Sequence, residues 1–123
     1  MDFDKSALKQ RGLKRFWLAT KYSWLGAKAA YKEEPAFQYE VHAAVVLVPL
    51  AIWLADSVAS AAAMIAAVLF VMLVELINSA FEAVVDRIGP ERHELSGRAK
   101  DLGSAAVFIA ICIAILVWAA VLF

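Results

Sequence analysis

The sequence predicts an all-α membrane protein with three transmembrane helices and an N-terminal amphipathic surface helix. Hydrophobic residue types make up 63% of the 123 residues and charged types 20%, whereas soluble domains contain about 45–50% apolar residues. The apolar residues are concentrated in three segments that contain few or no charges. We therefore expect residues 1–123 to form a single membrane domain.

Charge and cysteine content exclude several function classes. Twelve Lys/Arg residues balance twelve Asp/Glu residues, so the chain offers no basic surface for nucleic acid. The single cysteine, Cys112, excludes a disulfide within one chain. The five glycines form neither G-x-x-x-x-G-K-[ST] nor G-x-G-x-x-G, so the nucleotide sites common in soluble proteins are not expected.

Residues 6–33 have the pattern of an amphipathic helix. Largely apolar side chains recur at three- and four-residue spacing, while lysines occupy another face. The recurring positions are Leu13, Phe16, Trp17, Thr20, Trp24, Ala27 and Tyr31. Pro35 disfavours helical backbone at Glu34, so the helix is expected to end there. We expect this helix to lie in the membrane interface, and anchoring alone would explain its pattern.

Three further segments are predicted to cross the bilayer. Residues 102–123 are 22 uncharged residues, about 33 Å of helix, which is enough to cross a hydrocarbon core of about 30 Å. A second span, 57–86, has a cytoplasmic extension, because its helical pattern continues until Gly89-Pro90. The uncharged stretch 41–55 has only 15 residues, but apolar residues before it extend the first span to 36–55.

The positive charges predict the orientation of these spans. Eight lysines and arginines precede the first span, and the other four lie between the second and third spans. Because cytoplasmic connections carry an excess of Lys and Arg, both segments are expected in the cytoplasm. The turn at Asp56 and the C-terminus then lie outside, where Trp53 and Trp118 fit an interfacial aromatic belt.

Polar residues continue along one face of the second span. Glu75, Asn78, Ser79, Glu82 and Asp86 follow one another at three- and four-residue steps. Carboxylates near lipid are costly and are retained mainly where they face protein, water or a metal. Snorkelling at the helix end would explain Asp86 but not Glu75, which is followed by Leu76 and Ile77. We therefore interpret Glu75, Asn78 and Glu82 as a candidate site.

The connection 87–101 is predicted to be a cytoplasmic loop beside this site. Residues 86–101 hold four basic and four acidic residues around His93 and Ser96. Basic side chains neutralise phosphate oxygens and carboxylates hold hard cations such as Mg²⁺, so this composition suits both ligands. A connection that is only solvated and binds no ligand would have the same composition. Small residues on the spans would also allow close contact between helices of different chains.

Two stretches carry a specific family resemblance. Val74-Glu-Leu-Ile-Asn-Ser-Ala-Phe-Glu-Ala-Val-Val-Asp-Arg-Ile-Gly and His93-Glu-Leu-Ser-Gly-Arg-Ala-Lys-Asp-Leu-Gly-Ser-Ala-Ala-Val resemble the prokaryotic diacylglycerol kinase family. The likeness continues more loosely through Tyr22-Ser-Trp-Leu-Gly, Glu34 and Ala36-Phe37. It implies a small homotrimeric enzyme of the bacterial cytoplasmic membrane that uses Mg-ATP to phosphorylate diacylglycerol to phosphatidic acid.

The resemblance also implies roles for individual residues. Glu75 corresponds to the general base on the lipid hydroxyl, and Glu34 and Glu82 to the carboxylates that bind Mg²⁺. The nucleotide contacts it implies are Arg15, Tyr22, Glu34, Asn78, Glu82, Glu91, Arg92, His93, Lys100 and Asp101. The lipid-substrate contacts it implies are Arg15, Trp24, Ser104 and Trp118. Two residues depart from the family pattern: Pro35 follows Glu34, and Arg92 stands where an aromatic residue is common.

Three alternatives remain open from the sequence. An undecaprenol kinase of the same family would share the carboxylates and differ in the acceptor. An oligomeric ion channel would use Glu75 and Glu82 as a carboxylate ring, although these residues lie at one edge of the membrane. In a membrane scaffold the polar face would only set helix packing. ATP-dependent lipid phosphorylation distinguishes a kinase from the last two.

Overall fold

The computed structural model describes residues 5–89 and 93–123, which form four helices. The first, α1, runs over Lys5–Glu33, and α2 over Pro35–Leu54. They are followed by α3, Val58–Ile88, and by α4, Glu94–Leu122. The all-α fold class is confirmed. The predicted surface helix corresponds to α1, and the predicted spans lie in α2, α3 and α4.

Short sequence signals separate the first three helices. Pro35 is the first residue of α2, where its missing N–H is not needed, and Glu34 is extended with φ −114° and ψ 105°. The chain therefore turns at Glu34 without a loop. At the start of α3, the Ser57 side chain accepts a hydrogen bond of 3.1 Å from the backbone N–H of Ser60, which satisfies an otherwise unpaired donor.

The start of α4 corrects the expected loop at 87–101. Residues 94–101 form the first turns of α4, and α3 extends to Ile88, so the connection is much shorter. His93 caps α4, because its Nδ1 accepts a hydrogen bond of 3.0 Å from the backbone N–H of Leu95. Glu94 in the first turn favours the positive end of the helix dipole. The uncharged segment begins at Leu102, but the helix already begins at Glu94 and includes the charged residues between them.

α3 is the central helix of the structure. It packs along both α2 and α4, whereas α1 contacts mainly α2. Small side chains allow this close packing, since Ala51, Ala67 and Ala110 are buried, as is Met64. Three helices, α2, α3 and α4, are long and apolar enough to cross a membrane. Their outer faces carry many exposed apolar side chains, which suits a lipid environment.

Trp118 joins α4 to α3 through a specific hydrogen bond. Its Nε1 donates to the backbone oxygen of Met64 at 3.0 Å, and the Met64 side chain is fully buried. Trp118 was expected at the outer membrane interface and in contact with the lipid substrate. The indole N–H donates to the neighbouring helix and so gives Trp118 a role in helix packing, while its contact with the lipid substrate stays a prediction.

Replacing Trp118 with phenylalanine is expected to destabilise the protein by about 0.6 kcal/mol, the average measured for hydrogen bonds between membrane helices, and by no more than about 1.7 kcal/mol. The substitution removes the indole donor and keeps an aromatic ring. Unfolding in mixed micelles with increasing sodium dodecyl sulfate measures the change. Trp53→Phe is the matched control, because Trp53 is 79% exposed. Equal stability of the two variants would contradict a structural role for the Trp118 hydrogen bond.

Candidate active site

The polar face of α3 contains two buried polar side chains. Glu75 is 6% exposed and Asn78 is 8% exposed. Asn78 Nδ2 donates a long hydrogen bond of 3.4 Å to Glu82 Oε1, one helical turn further on. The helical spacing therefore places Glu75, Asn78 and Glu82 together, as the sequence predicts. Burial of Glu75 excludes simple snorkelling into water.

Glu34 reaches this face from the junction between α1 and α2. It lines an open groove of about 610 Å³ between α1 and α3, together with Leu76, Ser79 and Ala83. The charges of Glu82 and Glu34 both act on Glu75. The turn at Glu34-Pro35 is the local feature that directs this carboxylate toward α3. Four of the predicted site residues, Glu34, Glu75, Asn78 and Glu82, therefore lie in one region of the structure.

Glu40 is a fourth carboxylate of this cluster and is not among the predicted site residues. It lies in the first half of α2, and the charge of Glu75 acts on it. Its Oε2 atom is buried without a hydrogen-bond partner. The sequence does indicate Glu40, because burying a carboxylate inside the predicted span 36–55 is as energetically costly as burying Glu75. Among the described residues, the other buried side-chain polar atoms without a hydrogen-bond partner are Asn78 Oδ1 and Ser79 Oγ.

Lys100 brings positive charge to the same end of the molecule. Its Nζ lies 2.8 Å from Asp86 Oδ1, an ion pair between the end of α3 and the first turns of α4. The charge of Glu82 also acts on Lys100. Both members of the Lys100–Asp86 pair are partly exposed, so the attraction between them is modest. Lys100 is therefore available to an incoming anion near Glu82.

Several other predicted site residues lie on the exposed surface of the single chain. Arg15, Tyr22 and Trp24 are exposed on α1, and Arg15 lies about 28 Å from Glu34 along the helix axis. Met64, the partner of Trp118, lies about 16 Å from Glu75 along α3. Asp101 and Ser104 are exposed on α4, as is His93 before it. Glu91 and Arg92 lie outside the residues that the structure describes.

Two of these carboxylates, those of Glu34 and Glu82, are of the type that a hard divalent cation prefers. Among residues 5–89 and 93–123 there is no group of three or more His, Cys, Asp or Glu side chains able to hold a metal. Glu34 and Glu82 would supply two carboxylates, and Mg²⁺ typically uses one or two carboxylates together with waters and substrate phosphates. Four neighbouring carboxylates repel one another, so a cation would stabilise them.

Comparison with known proteins agrees with the motifs. A model of the family described as prokaryotic diacylglycerol kinase matches residues 21–122. A protein of Haemophilus influenzae named diacylglycerol kinase is 54% identical over 115 residues, which cover 94% of this chain and 98% of that protein. The protein of the same name from Escherichia coli K12 is 51% identical over 107 residues, which cover 87% of this chain and 88% of that protein.

A third relative extends the comparison. The protein named diacylglycerol kinase from Pseudomonas aeruginosa is 50% identical over 113 residues, which cover 92% of each chain. The identities thus extend over nearly the whole length, including α1, and not only over the two motifs. The family predicted from those motifs is confirmed: this chain belongs to the prokaryotic diacylglycerol kinases.

Proposed function

We propose that the protein transfers the γ-phosphoryl group of Mg-ATP to the hydroxyl of diacylglycerol, forming phosphatidic acid. The observation that carries this proposal is the buried Glu75 beside Asn78 and other carboxylates, at one end of the apolar part of α3. The rise from Ser57 to Glu75 is about 27 Å, which corresponds to the edge of the hydrocarbon. Three relatives of this chain also bear the name diacylglycerol kinase.

Glu75 is the residue proposed to accept the proton of the lipid hydroxyl. A base at the hydrocarbon edge can reach the head group of a lipid whose chains stay in the bilayer. Proton removal increases the nucleophilicity of the hydroxyl oxygen, which forms a bond to the γ-phosphorus as the bond to the β-phosphate oxygen breaks.

Glu34 and Glu82 are the residues proposed to hold Mg²⁺ on the nucleotide. When bound, the cation would neutralise charge on the transferring phosphates. Asn78 orients Glu82 through the hydrogen bond between their side chains. Lys100 supplies positive charge for the phosphates, and Asp101, His93, Glu91 and Arg92 are the further nucleotide contacts proposed from the family pattern.

The residues on α1 favour an active site shared between chains. Arg15 and Tyr22 are proposed to contact the nucleotide, and Trp24 and Ser104 the lipid. All four are exposed on the surface of one chain. A homotrimer would bring a neighbouring α1 to each Glu75. This arrangement is proposed for the bacterial cytoplasmic membrane, with both basic segments and the ATP site in the cytoplasm.

The acceptor is tested by offering diacylglycerol and undecaprenol separately, in mixed micelles with labelled Mg-ATP. We expect labelled phosphatidic acid and little undecaprenyl phosphate. If undecaprenyl phosphate were the sole product, the proposed roles of the carboxylates would stand, but the proposed lipid substrate would be wrong. An ion flux through vesicles containing the protein, with no labelled lipid from either acceptor, would favour the channel instead.

A further inference from the structure

Gly103 of α4 lies against Asn78 of α3. A Cβ atom built at Gly103 would overlap Asn78 Oδ1 and would lie 3.0 Å from Asn78 Cγ. Gly103 lies inside α4 and does not have a positive φ angle. Its backbone conformation is therefore one that any residue adopts in a helix, and glycine is required at this position by space alone.

Other helical glycines of the chain do not have such a neighbour. A Cβ atom at Gly12, Gly26 or Gly97 would have no atom within 4 Å. Alanine favours helices more than glycine does, so a glycine inside a helix needs a separate reason. At Gly103 that reason is a buried polar side chain of the candidate site.

Asn78 has few hydrogen bonds to fix its orientation. Its Nδ2 donates to Glu82 Oε1, while its Oδ1 is buried without a hydrogen-bond partner. Because a Cβ atom would replace one Hα of Gly103, that hydrogen points toward Oδ1 and can make a weak Cα–H···O contact. The surface of α4 thus holds the amide from the side opposite Glu82.

We propose that Gly103 is a positioning residue for the phosphoryl transfer. Its missing side chain leaves the space in which the Asn78 amide stays directed at Glu82. This proposal rests on the proposed function of Asn78 and Glu82 in Mg-ATP binding. Gly103 itself touches neither substrate, and it acts through the Asn78 side chain.

A methyl group at position 103 would force the Asn78 amide into another rotamer. The hydrogen bond to Glu82 would be lost, and with it the orientation of a carboxylate proposed to hold Mg²⁺. We expect Gly103→Ala to lower kcat/KM for Mg-ATP by about tenfold or more, with KM for diacylglycerol changed by less than about twofold. A general displacement of α4 would instead move the adjacent Ser104 and raise KM for diacylglycerol.

A double-mutant cycle tests this role. The variants are Gly103→Ala, Asn78→Ala and the double variant, with Gly12→Ala as the matched control in an uncrowded helix. In the double variant the new methyl group would lie 3.8 Å from the Cβ atom of residue 78, an ordinary contact. Kinetics with Mg-ATP and with diacylglycerol are measured for each variant, together with unfolding in mixed micelles.

We expect the double variant to have the kinetics of Asn78→Ala, because no amide remains to be displaced. Gly103→Ala should destabilise the protein only when the asparagine side chain is present. Additive kinetic losses, or wild-type kinetics of Gly103→Ala, would overturn the positioning role. Failure of the proposed function is distinguishable, because the wild type would then form no phosphatidic acid. The stability cycle alone would in that case decide whether residues 78 and 103 interact.

Discussion

Replacing Glu75 with glutamine is expected to lower turnover by about a thousandfold, within the range of about 10²- to 10⁴-fold that general base catalysis contributes. Glutamine has nearly the same shape but does not accept the proton of the lipid hydroxyl. Glu75 is buried, with 6% of its surface exposed, and lies near other carboxylates. The fold should be retained, because a neutral side chain at this position relieves the repulsion between the carboxylates. Turnover is measured at saturating Mg-ATP and diacylglycerol in mixed micelles.

Asp56→Asn is the matched control for this substitution. It makes the same change from carboxylate to amide, in the exposed turn at the opposite end of α3. Size-exclusion chromatography and the unfolding midpoint establish that each variant keeps the oligomeric state and the fold of the wild type. Wild-type turnover by a folded Glu75→Gln protein would show that another group accepts the proton.

Glu34→Gln and Glu82→Gln are expected to raise the Mg²⁺ concentration required for half-maximal turnover. Loss of an outer partner of a metal ligand lowers metal affinity by about 10- to 100-fold, and loss of a ligand itself should lower it at least as much. Excess Mg²⁺ should therefore restore part of the turnover in both variants. It should restore none in Glu75→Gln, because the missing function there is proton acceptance.

Titration of turnover with Mg²⁺ at constant ATP separates these roles. The Mg²⁺ dependence of the Glu75→Gln residual activity should resemble that of the wild type. If Glu34→Gln and Glu82→Gln lowered kcat without any change in Mg²⁺ dependence, the metal would have to lie elsewhere. The four-carboxylate cluster would then serve proton transfer or packing rather than cation binding.

The positions of the membrane helices could be predicted from sequence, because hydrophobic length and charge are local properties of the chain. Residues 102–122 of the uncharged stretch lie within α4, and Ser57 marks the start of α3 by its capping side chain. The length of the connection near His93 could not be predicted in this way. Where a helix leaves the membrane, charged residues continue it as readily as they form a loop.

The centre of the candidate site could also be predicted, because helical spacing alone places Glu75, Asn78 and Glu82 on one face. Contacts between helices could not be predicted from the sequence. The approach of Gly103 to Asn78 depends on how α4 packs against α3, and the hydrogen bond of Trp118 to Met64 depends on the same packing. Glu40 could have been predicted from the sequence as a site residue, since a carboxylate inside a membrane span is energetically costly.

Phosphoryl transfer itself is tested most directly by comparing two labels on ATP. The folded protein in mixed micelles receives diacylglycerol and Mg-ATP labelled either at the γ-phosphate or at the α-phosphate. We predict that phosphatidic acid acquires label from the γ-phosphate only and that Glu75→Gln forms about a thousandfold less of it. No labelled lipid from folded wild-type protein would contradict a kinase and leave the channel or the scaffold as its function.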